Sequence, residues 1–154
     1  MDKVKKILAP TDFSETSLEG IRYALELARS SGAVVTIYHV IGPEELSRGG
    51  YRELLKDPIG VTESELGRFV EMHCGDLTPG IETHTAVELG TPESNIVDKA
   101  NASGADLIVL ATHGRTALAH VLLGSVAERV VRHAACPVLT VPARFPKSAA
   151  ASAT

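Results

Sequence analysis

The sequence predicts an α/β fold: an open five-stranded parallel sheet with helices on both faces. Three observations carry it. Short runs rich in β-branched and aliphatic residues alternate with stretches whose apolar residues recur at helical spacing, the pattern that builds parallel sheets through helical crossovers. One run, Leu107–Ala111 (LIVLA), is apolar without interruption, as expected of a central strand buried on both sides. The length, 154 residues with 44% hydrophobic and 22% charged, suits one domain with a single core.

The elements follow in order. Residues 4–10 (VKKILAP) form a first strand closed by Pro10. Leu18, Ile21, Leu25 and Ala28 then mark a helix from Ser14 to about Ser31, with Gly32 as its stop. Residues 34–41 (VVTIYHVI) read as a buried second strand. Between 42 and 61 the glycines and prolines break the rhythm, so a variable loop is expected there, a candidate lid or partner surface. Thr62-x-x-Glu65 reads as a capping box, followed by Leu66, Phe69, Val70, Cys74 and Leu77 on one helical face.

Ile81, Thr83, Thr85 and Val87 alternate with polar neighbours, which predicts an edge strand with one wet face. Thr91-Pro92 opens a helix that runs to Gly104, with Ile96, Val97 and Ala100 inward. After Leu107–Ala111 come a loop, a short helical stretch around 118–123 and a helix from Ser125 to Ala134. Residues 138–141, between Pro137 and Pro142, form the last strand. The expectation is one domain over residues 1–142 and a flexible tail over 143–154.

Composition excludes several classes. A net charge of −4, from 15 basic and 19 acidic residues, gives no basic stripe to hold nucleic acid. The longest apolar run falls far short of the roughly 20 residues that a membrane span requires. The opening MDKVKKILAP does not fit a signal peptide, and two cysteines suit a reducing compartment, so a cytoplasmic location is expected.

In open α/β sheets, ligands sit beyond the carboxyl ends of the strands where the strand order reverses. The loops to inspect are 10–13 (PTDF) and 112–115 (THGR). Gly114 permits close backbone approach, and Gly124-Ser125 opens a helix whose first N–H groups lack intrahelical partners, an arrangement suited to phosphates. Spacing alone reads equally well as a turn glycine, a helix stop and an ordinary N-cap. Asp12-x-x-Glu15 likewise reads either as a ligand-facing acid or as a capping box.

Residues 111–125 (ATHGRTALAHVLLGS) resemble the nucleotide loop of the universal stress protein family, whose pattern is Gly-x2-Gly-x9-Gly-Ser/Thr. Gly114 and Gly124-Ser125 match it, with nine residues between the two glycines, while Ala111 stands at the first glycine position. The flanks agree: KKILAPTDFSE at the start, GTPESNIVDKANASGADLIVLATHGR before the loop and GSVAERVVRHAACPVLTV after it. The resemblance covers about residues 3–142 and implies a Rossmann-like sheet of strand order 3-2-1-4-5.

What the resemblance implies for the site is specific. Pro10, Thr11 and Asp12 line the adenosine end of an ATP site, with Val40 against the adenine. Gly114, Gly124, Ser125 and Val126 hold ribose and phosphates, Mg2+ can accompany ATP as counter-ion, and Arg115 faces either the phosphates or solvent. The resemblance also implies a homodimer through antiparallel pairing of Val138, Leu139, Thr140 and Val141. The function implied is a cytoplasmic adenine-nucleotide-binding dimer in the stress response, acting as a nucleotide-dependent switch. The alternatives are a nucleotide-free interaction module, with Ala111 having disabled the site, and a slow ATPase in which Asp12 or His113 positions water.

Catalytic and metal patterns are weaker. His133-x-x-Cys136 with His113 and His120 is the best metal cluster, without a CxxC or HExxH pattern to support it. Cys74 lies on an apolar helix face and Cys136 has no base beside it. No GxSxG elbow or lysine-bearing phosphate loop occurs, so fast phosphoryl transfer is not expected. The sequence reads as a binder without metal or catalytic residues.

Overall fold

The computed structural model describes residues 3–48, 56–112 and 123–142. Five strands, β1 (Lys6–Pro10), β2 (Val34–Ile41), β3 (Thr83–Leu89), β4 (Leu107–Ala111) and β5 (Val138–Val141), form one sheet. Its order is β3-β2-β1-β4-β5, with every neighbouring pair parallel. The helices are α1 (Ser17–Ser31), α2 (Pro43–Ser47), α3 (Pro58–Cys74), α4 (Pro92–Ser103) and α5 (Ser125–His133). The strand order and the α/β class are those expected from the sequence.

Alternation along the strands divides the core. Ile7, Ala9, Val35, Ile37, Ile41, Val87 and Val109 face one side, where they meet Leu18, Ile21 and Leu25 of α1 and Leu66, Val70 and Cys74 of α3. Leu8, Tyr38, Val40, Ile108 and Leu110 face the other, against Ile96 and Ala100 of α4 and Ala127 and Val130 of α5. The unbroken apolar run of β4 thus serves both layers. Each fully buried Leu or Ile contributes roughly 1.5–3 kcal/mol. Gly32, at φ 77°, closes α1 by donating its N–H to the Ala28 carbonyl, a left-handed position that glycine occupies without steric cost.

Pairing along the sheet is uneven, and this shapes the molecule. β2 pairs with β3 from Val35↔Thr83 through Ile41↔Leu89, and with β1 from Lys6↔Val34 through Pro10↔Tyr38. β1 and β4, in contrast, pair only at Ile7↔Leu107 and Leu8↔Ile108. Beyond that point each stays with its outer neighbour: the Thr11 N–H donates to Tyr38 and the Thr112 N–H to Val141. The sheet parts between the ends of β1 and β4.

The structure corrects several local expectations. Residues 42–61 are not one long loop, for α2 occupies Pro43–Ser47 and α3 already begins at Pro58. Both helices use proline at the first position, where its missing N–H costs nothing, so these prolines start helices instead of breaking them. The N-cap of α3 is Asp57, whose carboxylate accepts from the Gly60 N–H, and Thr62 is buried within the helix instead of capping it. α1 begins at Ser17, not Ser14, because the segment before it folds on its own hydroxyls. Thr91 does precede Pro92 at the N-cap of α4, but the cap bond runs the other way, from the Thr91 N–H to the Asn95 side chain. Residues 118–122 and the tail from 143 lie outside the described residues.

Candidate functional site

Where β1 and β4 separate, a cavity of about 280 Å³ opens at the carboxyl end of the sheet. Four segments build it: the β1–α1 loop, the end of β2 with α2, the first turns of α4, and the end of β4 with the start of α5. Pro10, Thr11, Asp12, Val40, Gly124, Ser125 and Val126, all singled out from the sequence, line this one space. Gly114 and Arg115 lie outside the described residues, as do His113 and His120.

The β1–α1 loop is held by a chain of hydroxyls. The Ser17 hydroxyl donates to the Ser14 carbonyl at 2.7 Å, so toward Thr11 it accepts, and the Thr11 hydroxyl donates across 2.7 Å. The Thr11 oxygen in turn accepts the Phe13 N–H, and the Ser14 hydroxyl accepts the Ser17 N–H. Asp12 accepts from the Ser14 N–H at 3.0 Å, a local turn, so it is not the N-cap of α1.

Phe13 sits at φ 66°, a left-handed conformation that a bulky residue adopts at a cost of about 1–3 kcal/mol. Its ring is held edge-on by His39 at 4.6 Å and by Phe69 at 5.3 Å. Packing on both sides offsets the backbone cost and fixes the loop that carries Asp12.

The opposite wall is the start of α5. Gly124, the N-cap, is extended at φ −67° and ψ 161°, and among the described residues no side chain caps the helix. The first intrahelical bond is from the Glu128 N–H to the Gly124 carbonyl. The N–H groups of Ser125, Val126 and Ala127 precede it, at the positive end of the helix dipole, in residues that line the cavity. The Gly124 N–H donates to the Thr112 carbonyl and so anchors this helix start to the end of β4. Ala111, where the motif has glycine, also lines the cavity.

Several lining residues were not anticipated. Tyr38, His39, Pro92 and Ile96 all contribute, beside Thr112 from the expected loop and Glu44 and Arg48 from the 42–61 region. His39 is 3% exposed, with Nδ1 2.7 Å from the Thr11 carbonyl and Nε2 3.0 and 3.1 Å from the Glu45 carboxylate. A sequence signal existed: in VVTIYHVI, His39 shares its face with Ile37 and Ile41, a buried slot. The Tyr38 phenol is buried without a hydrogen-bond partner, and burial first, then Glu88, raises its pKa above the usual phenol range.

Among the described residues no group of three or more His, Cys, Asp and Glu is placed to hold a metal ion. Burial pushes the thiols of Cys74 and Cys136 up, away from thiolate chemistry. No helix among the described residues is long and apolar enough to cross a membrane.

Comparison with known proteins fits this architecture. Residues 3–142 match the model of the universal stress protein family. The universal stress protein MJ0531 of Methanocaldococcus jannaschii is 38% identical over 144 residues, covering 89% of this chain and 81% of its own. The solved structure of MJ0577 from the same organism superposes with a TM-score of 0.76 at 31% identity, covering 94% of this chain and all of its own. A universal stress protein solved in complex with cAMP shares the fold, with a TM-score of 0.66 at 24% identity over 93% of this chain and 100% of that one. A family match over residues 3–142, a relative 38% identical and a solved structure of the same fold lead to one conclusion: the chain belongs to the universal stress protein family.

Proposed function

We propose that this protein binds an adenine nucleotide in the cavity between β1 and β4 and acts in the stress response through its bound state. The observation that carries the reading is the uncapped start of α5. Its free N–H groups at Ser125–Ala127 face, across one cavity, the Pro10–Asp12 loop and Val40. In this reading the phosphates lie at Gly124, Ser125 and Val126, with Gly114 and Arg115 completing the loop. Pro10 and Val40 flank the adenine, and Asp12 accepts from the ribose hydroxyls. ATP, with Mg2+ as counter-ion, is the nucleotide proposed. A protein of the same fold solved with cAMP supports an adenine ligand.

The reading extends to assembly. β5 is an edge strand whose side chains at Val138, Leu139 and Thr140 are only half-buried, the profile of an edge that pairs with a second copy. A cytoplasmic homodimer through this edge, whose surface changes when nucleotide orders the glycine loop and the 42–61 region, is the switch proposed.

Calorimetric titration of the nucleotide-stripped protein with Mg-ATP tests the site, alongside Gly124→Asp, which places a carboxylate where the phosphates are expected. Saturable binding lost in the variant supports the reading. Protease protection of the 42–61 and 113–122 segments by Mg-ATP tests the switch. The presence of Ala111 in the cavity lining favours a second reading, a nucleotide-free interaction module. No binding to the intact protein, together with a dimer by sedimentation, would select it.

A further inference from the structure

His39 stands where two walls of the cavity meet. Its Nδ1 faces the Thr11 carbonyl and its Nε2 faces the Glu45 carboxylate. Both partners are acceptors: a carbonyl has no proton to give, and an ionised carboxylate has none either. A neutral imidazole carries one N–H and serves one of them. Making both bonds requires one further proton, on the ring or on Glu45.

We propose that His39 is a positioning residue whose extra proton clamps α2 onto the β1–α1 loop, so that the rim of the cavity, and with it the affinity for an adenine nucleoside, depends on pH. The ligand half of this statement rests on the nucleotide reading above; the clamp itself does not.

The two tethered segments are unequal. Thr11 is also held by its N–H to Tyr38 and by its hydroxyl to Ser17. α2 has five residues, none of them buried and none capping it with a side chain. When the proton leaves, one buried polar bond is lost and a ring lone pair faces an anionic Glu45. α2, whose other tie to the core is the half-buried Leu46, is the end released, and its Glu44 and its C-cap Arg48 line the cavity.

The sign follows from the proton count: both bonds are present at low pH, and one is lost as pH rises. The surroundings of His39 are otherwise apolar or of mixed charge. Asp12 of the β1–α1 loop, Glu44 of α2 and its C-cap Arg48 line the same cavity as His39. Its register partner on β3 is Val87, and from α3 Phe69 meets it through Phe13. Beyond Phe69 the His73 ring meets it edge-on at 4.9 Å, and the Tyr38 phenol is the neighbouring titratable ring on β2.

The test has two arms, each run from about pH 5.5 to about pH 8.5, the span in which imidazoles change charge. In the protein without ligand, ring-nitrogen NMR of His39 and amide exchange of residues 44–48, corrected for intrinsic base catalysis, report the clamp. Protection of α2 is expected to fall with rising pH in the wild type. It is expected to be flat in Glu45→Gln, whose amide donates to a neutral ring, and flat in His39→Gln. His73→Gln is expected to keep the wild-type slope.

In the second arm, adenosine is titrated, because it carries no group that changes charge in this range. Its affinity is expected to fall about fivefold to tenfold across the span, the effect of one charge-assisted hydrogen bond. A wild-type exchange profile that is flat, or that Glu45→Gln shares, overturns the clamp. Adenosine binding with the same affinity throughout overturns its coupling to the site. If adenosine binds at no pH, the nucleotide reading fails, while the exchange arm still decides the clamp.

Discussion

A β-carbon on Gly20 of α1 would lie 2.9 Å from the backbone nitrogen of Ala111, at the end of β4, and 3.2 Å from the Leu110 carbonyl carbon. Real contacts of this kind are not that short, so the missing side chain sets how closely α1 rests on the strand that forms one lip of the cavity.

Gly20→Ala is therefore expected to destabilise the protein by about 1–3 kcal/mol, although alanine is the better helix former by roughly 1 kcal/mol. Gly67, in α3, has no atom within 4 Å of the position a β-carbon would take. Gly67→Ala is expected to stabilise by about 0.5–1 kcal/mol. Chemical denaturation of the pair checks both signs; a Gly20→Ala protein as stable as the wild type removes the packing argument.

Phe13 gives a reversed size order. Phe13→Ala loses the contacts with His39 and Phe69 while keeping the left-handed backbone, and is expected to cost about 2–4 kcal/mol. Phe13→Gly loses the same ring but fits φ 66° freely, and is expected to be about 1 kcal/mol more stable than the alanine variant. Equal midpoints for the two would show that the backbone there carries no strain.

Much of this arrangement was legible in the sequence. The strands at 34–41, 107–111 and 138–141 carry residues that have little choice of partner, and their limits were read as found. Pro10, Thr11, Asp12, Val40, Gly124, Ser125 and Val126 reach one cavity because parallel topology brings the ends of β1, β2 and β4 to the same edge. Helix starts were harder. Pro43 and Pro58 read as breakers, because whether a proline ends a segment or opens a helix depends on the residues it meets in space. The contacts of His39 were hidden for a related reason: its partners, Thr11 and Glu45, come from the β1–α1 loop and from α2.

Among the described residues two buried hydroxyls lack hydrogen-bond partners, the Tyr38 phenol and the Thr62 hydroxyl. Removing a buried polar group that makes no hydrogen bond is nearly neutral or favourable. Tyr38→Phe and Thr62→Val are each expected to leave stability unchanged within about 1 kcal/mol or to raise it. Thermal melts showing a loss of about 2 kcal/mol or more would reveal a bond that the structure does not contain.

Tyr38 also sets a sign at high pH. Its folded pKa is raised, so the unfolded chain gives up the phenol proton first, and stability falls once pH passes about 10, the ordinary phenol value. The Tyr38→Phe protein is expected to lose less stability over that alkaline range, measured by denaturant midpoints. Identical alkaline profiles would mean the phenol is solvated.

At the other end of the sheet, the Asp106 carboxylate accepts the N–H groups of Lys5 and Lys6, both at 2.9 Å, and these bonds lower its pKa. Its contribution is present above the usual carboxylate range and is lost as pH falls through the folded value. Asp106→Asn is expected to be less stable than the wild type at neutral pH and to converge with it in acid. Parallel acid profiles would contradict this.

The short seam between β1 and β4 makes the sheet two leaves of a book, β3-β2-β1 and β4-β5, bound along two register pairs at the spine. Each leaf is knit to itself over a longer stretch than to the other. Any molecule lodged between the free edges of the leaves bridges halves that the backbone leaves unjoined there. Occupancy and resistance to heat then become one quantity read two ways: a tighter occupant raises the melting temperature by mass action, and a looser spine weakens the occupant.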